Sequence, residues 1–218
     1  FLVSMVLGVT VLEYKIGTNP FVLLREHPDM ANLPFIKMPD YLQRISDGRG
    51  LNPLLQNYWM VIHPPVLFLG FASTLIPFAF AMGGLMTRRV REWTTPALPY
   101  AFFGVMILGT GILMGAAWAY EALSFGGFWA WDPVENASLV PWLTLVGAAH
   151  VMLIHKKNGS SLMSSLLLVV ITFILILYST FLTRSGILGD TSVHAFTDLG
   201  MTGQLVIYML FFAVQAGW

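Results

Sequence analysis

The sequence contains no cysteine among its 218 residues, which excludes a disulfide framework, a thiol nucleophile and a cysteine-ligated metal site. Charged residues are also scarce, at 10%, whereas a soluble globular chain usually has about a quarter. The formal net charge is zero, and no basic cluster is large enough to indicate nucleic-acid binding. With 56% hydrophobic residues, the chain cannot cover itself with polar groups, so we expect lipid to be its main solvent.

The uncharged parts of the sequence form long apolar runs. They cover residues 1–12, 59–86, 99–120, 137–154, 162–182 and 201–217. Runs near or above about 18 residues are typical of membrane spans, and in lipid each should be a helix that satisfies its own backbone groups. The sequence therefore predicts an all-α polytopic integral membrane protein with about six transmembrane segments.

The two ends of the chain both lie inside apolar runs. The first residues lack the charged start and the cleavage site that a signal peptide would have. We therefore expect residues 1–218 to form one transmembrane domain that is incomplete at both ends, as a fragment of a longer polytopic protein.

Lysine and arginine in the short loops predict the orientation of the spans. The stretches "MTRRVREW" and "HKKN" place basic loops at 87–95 and 155–160, and both lie on one side of the membrane if the segments alternate. We therefore expect these two loops in the cytoplasm. The other three connections then lie outside, in the periplasm of a Gram-negative cell.

This topology sorts the five histidines. His63 and His194 fall on the outer side, whereas His150 lies near the middle of a span. An ionisable group inside a span usually faces a partner or a functional site, although a hydrogen bond to a serine or a carbonyl would also explain it. His63 precedes two prolines, which indicates either a kinked span entrance or a rigidly held histidine. His27 and His155 are explained as loop and helix-end residues.

The stretch "FGGFWAWDPVENASLVPWL", residues 125–143, begins a helix by its pattern. Asp132 has the position of an N-cap, Pro133 of the first helical residue, and Glu135 of the third residue after the cap. Pro141 is expected to break or restart this helix, with Ser138 as a second cap. The plain interpretation is a short interfacial helix that leads into a span.

The aromatic residues of the same stretch have two explanations. Trp129, Trp131 and Trp142 fit a membrane-interface belt, but they also fit a platform on which a flat apolar ligand stacks. Gly126 and Gly127 favour the platform, because paired glycines let the backbone approach another group closely. Trp142 and His150 also share a helix face, since eight residues separate them. The residues alone leave belt and platform open.

Taken together, these features are what a haem-handling membrane protein needs. Imidazoles ligate haem iron axially, with aromatic side chains against the macrocycle. Two outer histidines, an outer aromatic platform and one histidine inside a span supply such groups.

At these residues the sequence resembles the haem-handling protein superfamily of cytochrome c maturation, whose signature is a tryptophan-rich WD segment. "GGFWAWDPVENASLVPWL", residues 126–143, is similar to that segment, which we expect over 123–141. "GRGLNPLLQNYWMVIHPPVLFLGF" and "FLTRSGILGDTSVHAF" resemble the CcmF-type branch, the haem lyase subunits. The three motifs occur in the family's order and the resemblance runs over essentially the whole chain.

The resemblance implies a role for each candidate residue. His63 and His194 would ligate the iron of the substrate haem at the periplasmic face. His150 would be one axial ligand of a structural b-type haem, whose other ligand lies in a later span that this chain lacks. The WD segment would cradle the substrate haem through Trp129, Trp131, Asp132 and their neighbours Gly126, Gly127 and Trp142.

The implied activity is that of a cytochrome c haem lyase subunit in the bacterial inner membrane. The two thiols of an apocytochrome c motif add to the haem vinyl groups, so no residue of this chain acts as nucleophile or base. The family also links its b-type haem to reduction of the haem iron, with quinol as a candidate reductant. The implied partners are a haem chaperone, apocytochrome c, the other lyase subunits and the lipid membrane.

Two other functions compete with the lyase. One is a haem presenter or exporter of the same superfamily, which loads a haem chaperone without making thioether bonds. The extended lead-in to "HPP" favours the lyase over the presenter. The other is a structural or quinone-binding membrane protein that handles no haem.

Overall fold

The structure is a computed structural model of the chain. It describes residues 2–11, 14–16, 19, 21–27, 30–44, 50–122, 127–189, 191–192 and 202–216. The chain divides into two compact units, Phe1–Leu55 and Gln56–Trp218. All the candidate site residues that the structure describes belong to the second unit.

The first unit contains short elements. They are helix α1 (Leu2–Leu7), strands β1 (Val9–Val11) and β2 (Tyr14–Ile16), a 3-10 turn at Leu24–Glu26, helix α2 (Tyr41–Arg44) and a second 3-10 turn at Pro53–Leu55. The strands are antiparallel, with Val9 opposite Ile16. The apolar run over 1–12 is thus helical only to Leu7. Gly8 has a φ of +63°, a left-handed conformation that suits glycine and that ends the helix.

The described part of the second unit contains six helices. They are α3 (Tyr58–Ser73), α4 (Leu75–Met86), α5 (Thr94–Ala122), α6 (Pro133–Asn158), α7 (Leu162–Arg184) and α8 (Thr202–Ala216). Among the described residues, four helical stretches are long and apolar enough to cross a membrane: α3 with α4 (29 residues), α5, α6 and α7. Helix α8 is apolar but has only 15 residues. The prediction of an all-α polytopic membrane protein is confirmed, whereas the number of six spans is not established.

Prolines lie inside three of these helices without ending them. Helix α6 continues through Pro141, which is fully buried, so the predicted break there is wrong. Ser138 does not cap a second helix, because its hydroxyl donates to the carbonyl of Glu135 at 2.8 Å. Packing against neighbouring helices holds the helix together where a proline removes one backbone hydrogen bond. Pro64 and Pro65 likewise lie within α3.

An apolar core lies where α4, α7 and α8 meet, and it extends to residues of α5 and α6. Phe78 stacks on Phe173 with ring centroids 4.4 Å apart, and Phe212 meets both rings edge-on. Ala149 and Met152 of α6 are buried in the same cluster. These contacts fix α6, the helix that follows the WD segment, against the rest of the unit.

Helices α3 and α5 pack closely through glycines. A Cβ atom placed on Gly70 would lie 2.6 Å from the Cα of Leu108, and one on Gly111 would lie 2.8 Å from the Cα of Leu67. Small residues at helix contacts are typical of membrane proteins, because they let the two backbones approach. This glycine seam sets the position of α3 along α5.

The helices alternate in direction, so the unit has two distinct ends. The start of α3 meets the end of α5, because Asn57 bonds to Glu121, and the start of α6 meets the residues after α7, because Ser192 bonds to Asp132. The basic residues of 87–93 and 155–158 lie at the opposite end. The arrangement agrees with the predicted alternation of loops. The WD segment lies at the end that carries Glu121, Asp132 and Glu135, which we call the acidic end.

Candidate functional site

The WD segment starts helix α6 as its sequence predicts. The Asp132 carboxylate accepts the N–H of Val134 at 2.8 Å, and Pro133 is the first helical residue. The Glu135 carboxylate accepts the N–H groups of Asp132 and Ala130 at 3.2 and 3.0 Å. The predicted capping box is therefore confirmed, and it fixes the backbone that carries the tryptophans.

Asp132 has a second partner that the sequence analysis missed. The buried hydroxyl of Ser192 donates to Asp132 Oδ1 at 2.7 Å. This bond joins the WD segment to the chain that leaves α7, sixty residues away. His194 itself lies outside the described residues, as does Gly126.

Trp131 has an unusual backbone. Its φ is +58°, a conformation that is rare for a bulky residue and that costs energy unless its surroundings hold it. The side-chain amide of Asn136 donates to the Trp131 carbonyl at 3.0 Å and thereby supports it. The Trp131 ring is 71% exposed and meets the ring of Trp129 edge-on at 6.2 Å. Sequence reasoning did not single out Asn136.

Gly127 allows this turn rather than a close approach. Its φ is +140°, which residues with a side chain rarely adopt, and no described atom lies within 4 Å of a Cβ placed there. The glycine is therefore needed for its backbone conformation.

An open groove of about 630 Å³ runs between α5 and α6 beneath these tryptophans. Such a volume lies within the range of about 300–1,000 Å³ that small-molecule sites occupy. Trp142 closes one side, with its indole N–H donating to the carbonyl of Val105 at 2.9 Å. The lining is apolar and consists of Val105, Met106, Gly109, Thr110, Ile112, Leu113, Trp129, Trp131, Leu139 and Trp142.

Trp129 lines this groove, but its indole N–H does not open into it. The indole Nε1 is covered by protein and has no hydrogen-bond partner among the described residues. Buried N–H groups are nearly always paired in native proteins, so Trp129 is held at a cost in stability.

His63 packs against the backbone of α5. Its Nδ1 is 2.8 Å from the carbonyl oxygen of Gly111, and because a carbonyl only accepts, Nδ1 is the donor of this hydrogen bond. A Cβ on Gly115 would lie 2.6 Å from the His63 Cε1, so only glycine leaves room for the imidazole. Metal-ligating histidines usually donate one ring N–H to a carbonyl or carboxylate in this way.

His63 and the groove lie on nearly opposite faces of α5. The histidine contacts Gly111 and Gly115, whereas the groove is lined by residues at 105–106, 109–110 and 112–113. At 3.6 residues per turn these two sets point away from each other. The structure therefore does not bring the tryptophans and His63 to one face.

His150 is exposed on α6, and its Nδ1 donates to the carbonyl of Val146 at 2.8 Å. Trp142 is half-buried against α5, so the two residues differ in their surroundings although they share a side of the helix. His155 is buried and donates to the carbonyl of Ser160 at 2.9 Å. That bond satisfies a helix-end carbonyl, in agreement with the structural role expected for His155.

A cluster of hydrogen-bonded side chains, which sequence reasoning also missed, joins α3 to α5. Asn57 caps α3 by accepting the Trp59 N–H at 2.8 Å, and its amide donates to Glu121 Oε2 at 2.8 Å. The indole N–H of Trp59 donates to Glu121 Oε1 at 2.8 Å. We call these three residues the Glu121 clamp. The sequence feature that could have indicated this clamp is an acid, Glu121, at the end of an apolar run.

Among the described residues, no group of three or more His, Cys, Asp or Glu side chains could hold a bare metal ion.

A family model places the chain among known proteins. The model described as "Cytochrome C assembly protein" matches residues 3–188. The chain belongs to this family. The assignment agrees with the resemblance that the WD segment and its neighbouring motifs carry, and with the membrane-spanning helices.

The similar proteins are of the CcmF type. The chain is 38% identical over 201 residues to "Cytochrome c-type biogenesis protein CcmF" of Pseudomonas fluorescens, covering 92% of this chain and 29% of that protein. It is 42% identical over 165 residues to "Cytochrome c-type biogenesis protein CycK" of Bradyrhizobium diazoefficiens, covering 75% and 25%. The chain thus spans less than a third of the length of these relatives.

A solved structure is similar as well. "Cytochrome c Heme Lyase CcmF" matches with a TM-score of 0.55 and 35% identity, covering 74% of this chain and 30% of that one. The similar proteins are bacterial, and together with the apolar helices they indicate a multi-pass protein of the bacterial inner membrane.

Proposed function

We propose that this chain binds haem at the periplasmic face of the membrane and, with partner subunits, takes part in attaching it to apocytochrome c. The observation that carries the proposal is the placement of His63, whose Nδ1 is held by the Gly111 carbonyl. The names of the similar proteins, which include a haem lyase, supply the reaction. Haem is then the substrate.

His63 is the proposed axial ligand of the substrate haem. Its backbone-bound Nδ1 fixes both the tautomer and the ring plane, and such fixed imidazoles are the usual iron ligands. The contact with Gly115 keeps the ring from turning. The site therefore meets the main requirement of a preorganised ligand.

The WD segment is the proposed contact for the porphyrin. Because the groove and His63 face different sides of α5, the two features divide the work: His63 holds the iron, and the exposed Trp131 ring reaches the macrocycle. Trp129 meets the Trp131 ring edge-on at 6.2 Å and supports it from the groove wall. Asp132 and Gly127 hold the turn from which Trp131 projects.

His194 is the proposed second axial ligand. It follows Ser192 by two residues in the sequence. The bond from Ser192 to Asp132 supports this assignment, because it ties the chain just before His194 to the WD segment.

His150 is the proposed ligand of a b-type haem. Its exposed position on α6 and its carbonyl-bound Nδ1 fit one axial ligand, with the other supplied from outside this chain. When bound, that haem would supply electron transfer to the substrate iron. The chain's own part is to present His150 from a helix that is anchored in the apolar core.

The chemistry leaves the chain with the task of positioning. The two thiols come from apocytochrome c, in agreement with the absence of cysteine here, and their addition to the vinyl groups gains rate from a fixed haem pose. The haem chaperone and the other lyase subunits would meet the acidic end that carries the WD segment. Lysine and arginine gather at the other end, which favours the cytoplasm for that end.

The test uses the full-length protein with single substitutions His63→Ala, His194→Ala and His150→Ala. We expect His150→Ala to lose the absorption spectrum of the resident haem, whereas the two outer substitutions keep it and abolish maturation of cytochrome c. Thioether-linked haem on apocytochrome c is the readout, because it separates ligation from simple presentation of haem. Normal maturation by the His63→Ala variant would refute the ligand assignment.

A further inference from the structure

Glu121 accepts hydrogen bonds on both of its carboxylate oxygens, and both donors belong to the start of α3. The amide of Asn57 donates to Oε2 and the indole of Trp59 donates to Oε1, each at 2.8 Å. Hydrogen bonds to a charged acceptor are stronger than those between neutral groups. The end of α5 and the start of α3 are therefore joined at a defined register.

The position of Glu121 in α5 does not explain why a carboxylate is found there. The residue is the last but one of α5, where the negative end of the helix dipole disfavours a carboxylate. The same carboxylate lies at the N-terminus of α3, where the dipole favours it. Its favourable interactions are thus with α3 rather than with α5.

The clamp and His63 share the start of α3. Trp59 and His63 are four residues apart and so lie on one face of the helix, about 6 Å apart along its axis. His63 in turn rests on Gly111 and Gly115 of α5, the helix that ends with Glu121. Fixing Trp59 against Glu121 therefore fixes how far along α5 the His63 ring lies.

We propose that Glu121 is a positioning residue for the haem site, which it serves by holding Asn57 and Trp59 so that His63 lies at a defined place along α5. This inference rests on the proposed role of His63 as the ligand of the substrate haem. Glu121 touches no reacting atom in this account. Its effect passes through the register of α3 on α5.

The clamp permits an exchange experiment in the full-length protein. Asn57→Asp keeps a good N-cap for α3, but it sets two carboxylates against each other and removes the donor to Glu121. Combining Asn57→Asp with Glu121→Gln reverses the polarity of the bond. In the double variant the Gln amide donates to the Asp carboxylate, while the Gln oxygen still accepts the Trp59 indole N–H.

We expect Asn57→Asp alone to lower cytochrome c maturation several-fold, because the bonds to Glu121 lie at an exposed site where solvent weakens each of them. Added haemin should give a spectrum with less His-ligated, low-spin iron, measured as a difference against the His63→Ala variant. Glu121→Gln alone should have a smaller effect, because it still accepts one of the two bonds. The double variant should regain both the spectrum and the maturation.

Three outcomes would overturn the proposal. The first is wild-type maturation in Asn57→Asp. The second is a double variant that matures no more cytochrome c than Asn57→Asp does, although its abundance and melting temperature equal those of the wild type. The third is recovery of thermal stability in the double variant without recovery of the low-spin spectrum, which would reduce the clamp to a stabilising contact. If His63→Ala itself matures cytochrome c normally, the proposed function fails rather than the register of the clamp.

Discussion

The two sides of helix α5 differ in how they are built. On the α3 side, glycines bring two backbones into contact, and an added Cβ at Gly70 or Gly111 would lie within 2.8 Å of a backbone atom. On the α6 side, an open groove of about 630 Å³ is lined by large apolar side chains. The first side fixes the ring of His63, whereas the second fixes the ring of Trp142 against Gly109 and Val105 and leaves beside it a space whose shape side chains can adjust.

This difference indicates a division between position and affinity. A metal ligand has to be held in place closely, because a small displacement weakens its bond, and close backbone packing supplies that rigidity. A flat apolar ligand needs area and tolerates rearrangement of the side chains around it. We therefore expect substitutions on the α3 side to have larger and steeper effects than those on the groove side.

Gly111→Ala should have the largest effect. Its Cβ would lie 2.8 Å from the Cα of Leu67, and a backbone atom cannot turn aside as a side chain can. We expect α3 to separate from α5, with a loss of about 1–3 kcal/mol in stability and loss of maturation. Thermal unfolding in detergent and the maturation assay measure the two effects.

The matched control is Gly83→Ala, on α4, where no described atom lies within 4 Å of the added Cβ. It should mature cytochrome c as the wild type does. Equal behaviour of the two alanine variants would show that the glycine seam does not set the site.

Gly115→Ala should have the next largest effect, and it should separate ligand placement from stability. The added Cβ would lie 2.6 Å from the His63 Cε1, so the imidazole has to move while the helix backbones can stay. We expect about a tenfold or greater loss of maturation, of the size that one strong lost interaction produces. The melting temperature should change little.

Gly147→Ala on α6 is the control for Gly115→Ala, since its added Cβ would make only ordinary contact, at 3.6 Å from Leu168. A fall in maturation that follows the melting temperature in both variants would contradict a specific effect on the ring of His63.

Trp131→Ala should have the smallest effect of the three. It removes an exposed ring from a strained backbone, so stability should stay the same or rise slightly as the φ of +58° becomes easier to hold. We expect haem retention to fall several-fold, as loss of one stacking contact of about 0.5–1.5 kcal/mol predicts. Titration with haemin measures the change, and Phe128→Ala, next in the loop and 49% exposed, is the control.

Local patterns were readable from the sequence, whereas contacts between helices were not. Asp132, Pro133 and Glu135 lie within one turn, so the capping box could be predicted from spacing alone. Glu121 and Asn57 are sixty-four residues apart, and no local pattern indicates their bond. Pro141 shows the reverse case, because the local rule predicts a break that tertiary packing prevents.

The spatial relation of the site residues was also beyond the sequence. His63 and the tryptophans share an end of the bundle, as the alternation of spans predicts. They face different sides of α5 because α3 and α6 pack against different glycines of that helix. Sequence spacing does not determine which glycines these are. His194 and Gly126 lie outside the described residues, so their roles stay predictions.

The central claim, that His63 is the iron ligand, has a direct test in ligand replacement. In the full-length protein, His63→Ala removes the imidazole and leaves the space over Gly115, which free imidazole can enter. We predict that millimolar imidazole restores the low-spin spectrum of added haemin and part of the maturation activity in His63→Ala, and that it does neither in Gly115→Ala. Wild-type maturation in His63→Ala without imidazole, or a spectrum that imidazole leaves unchanged, would contradict the claim.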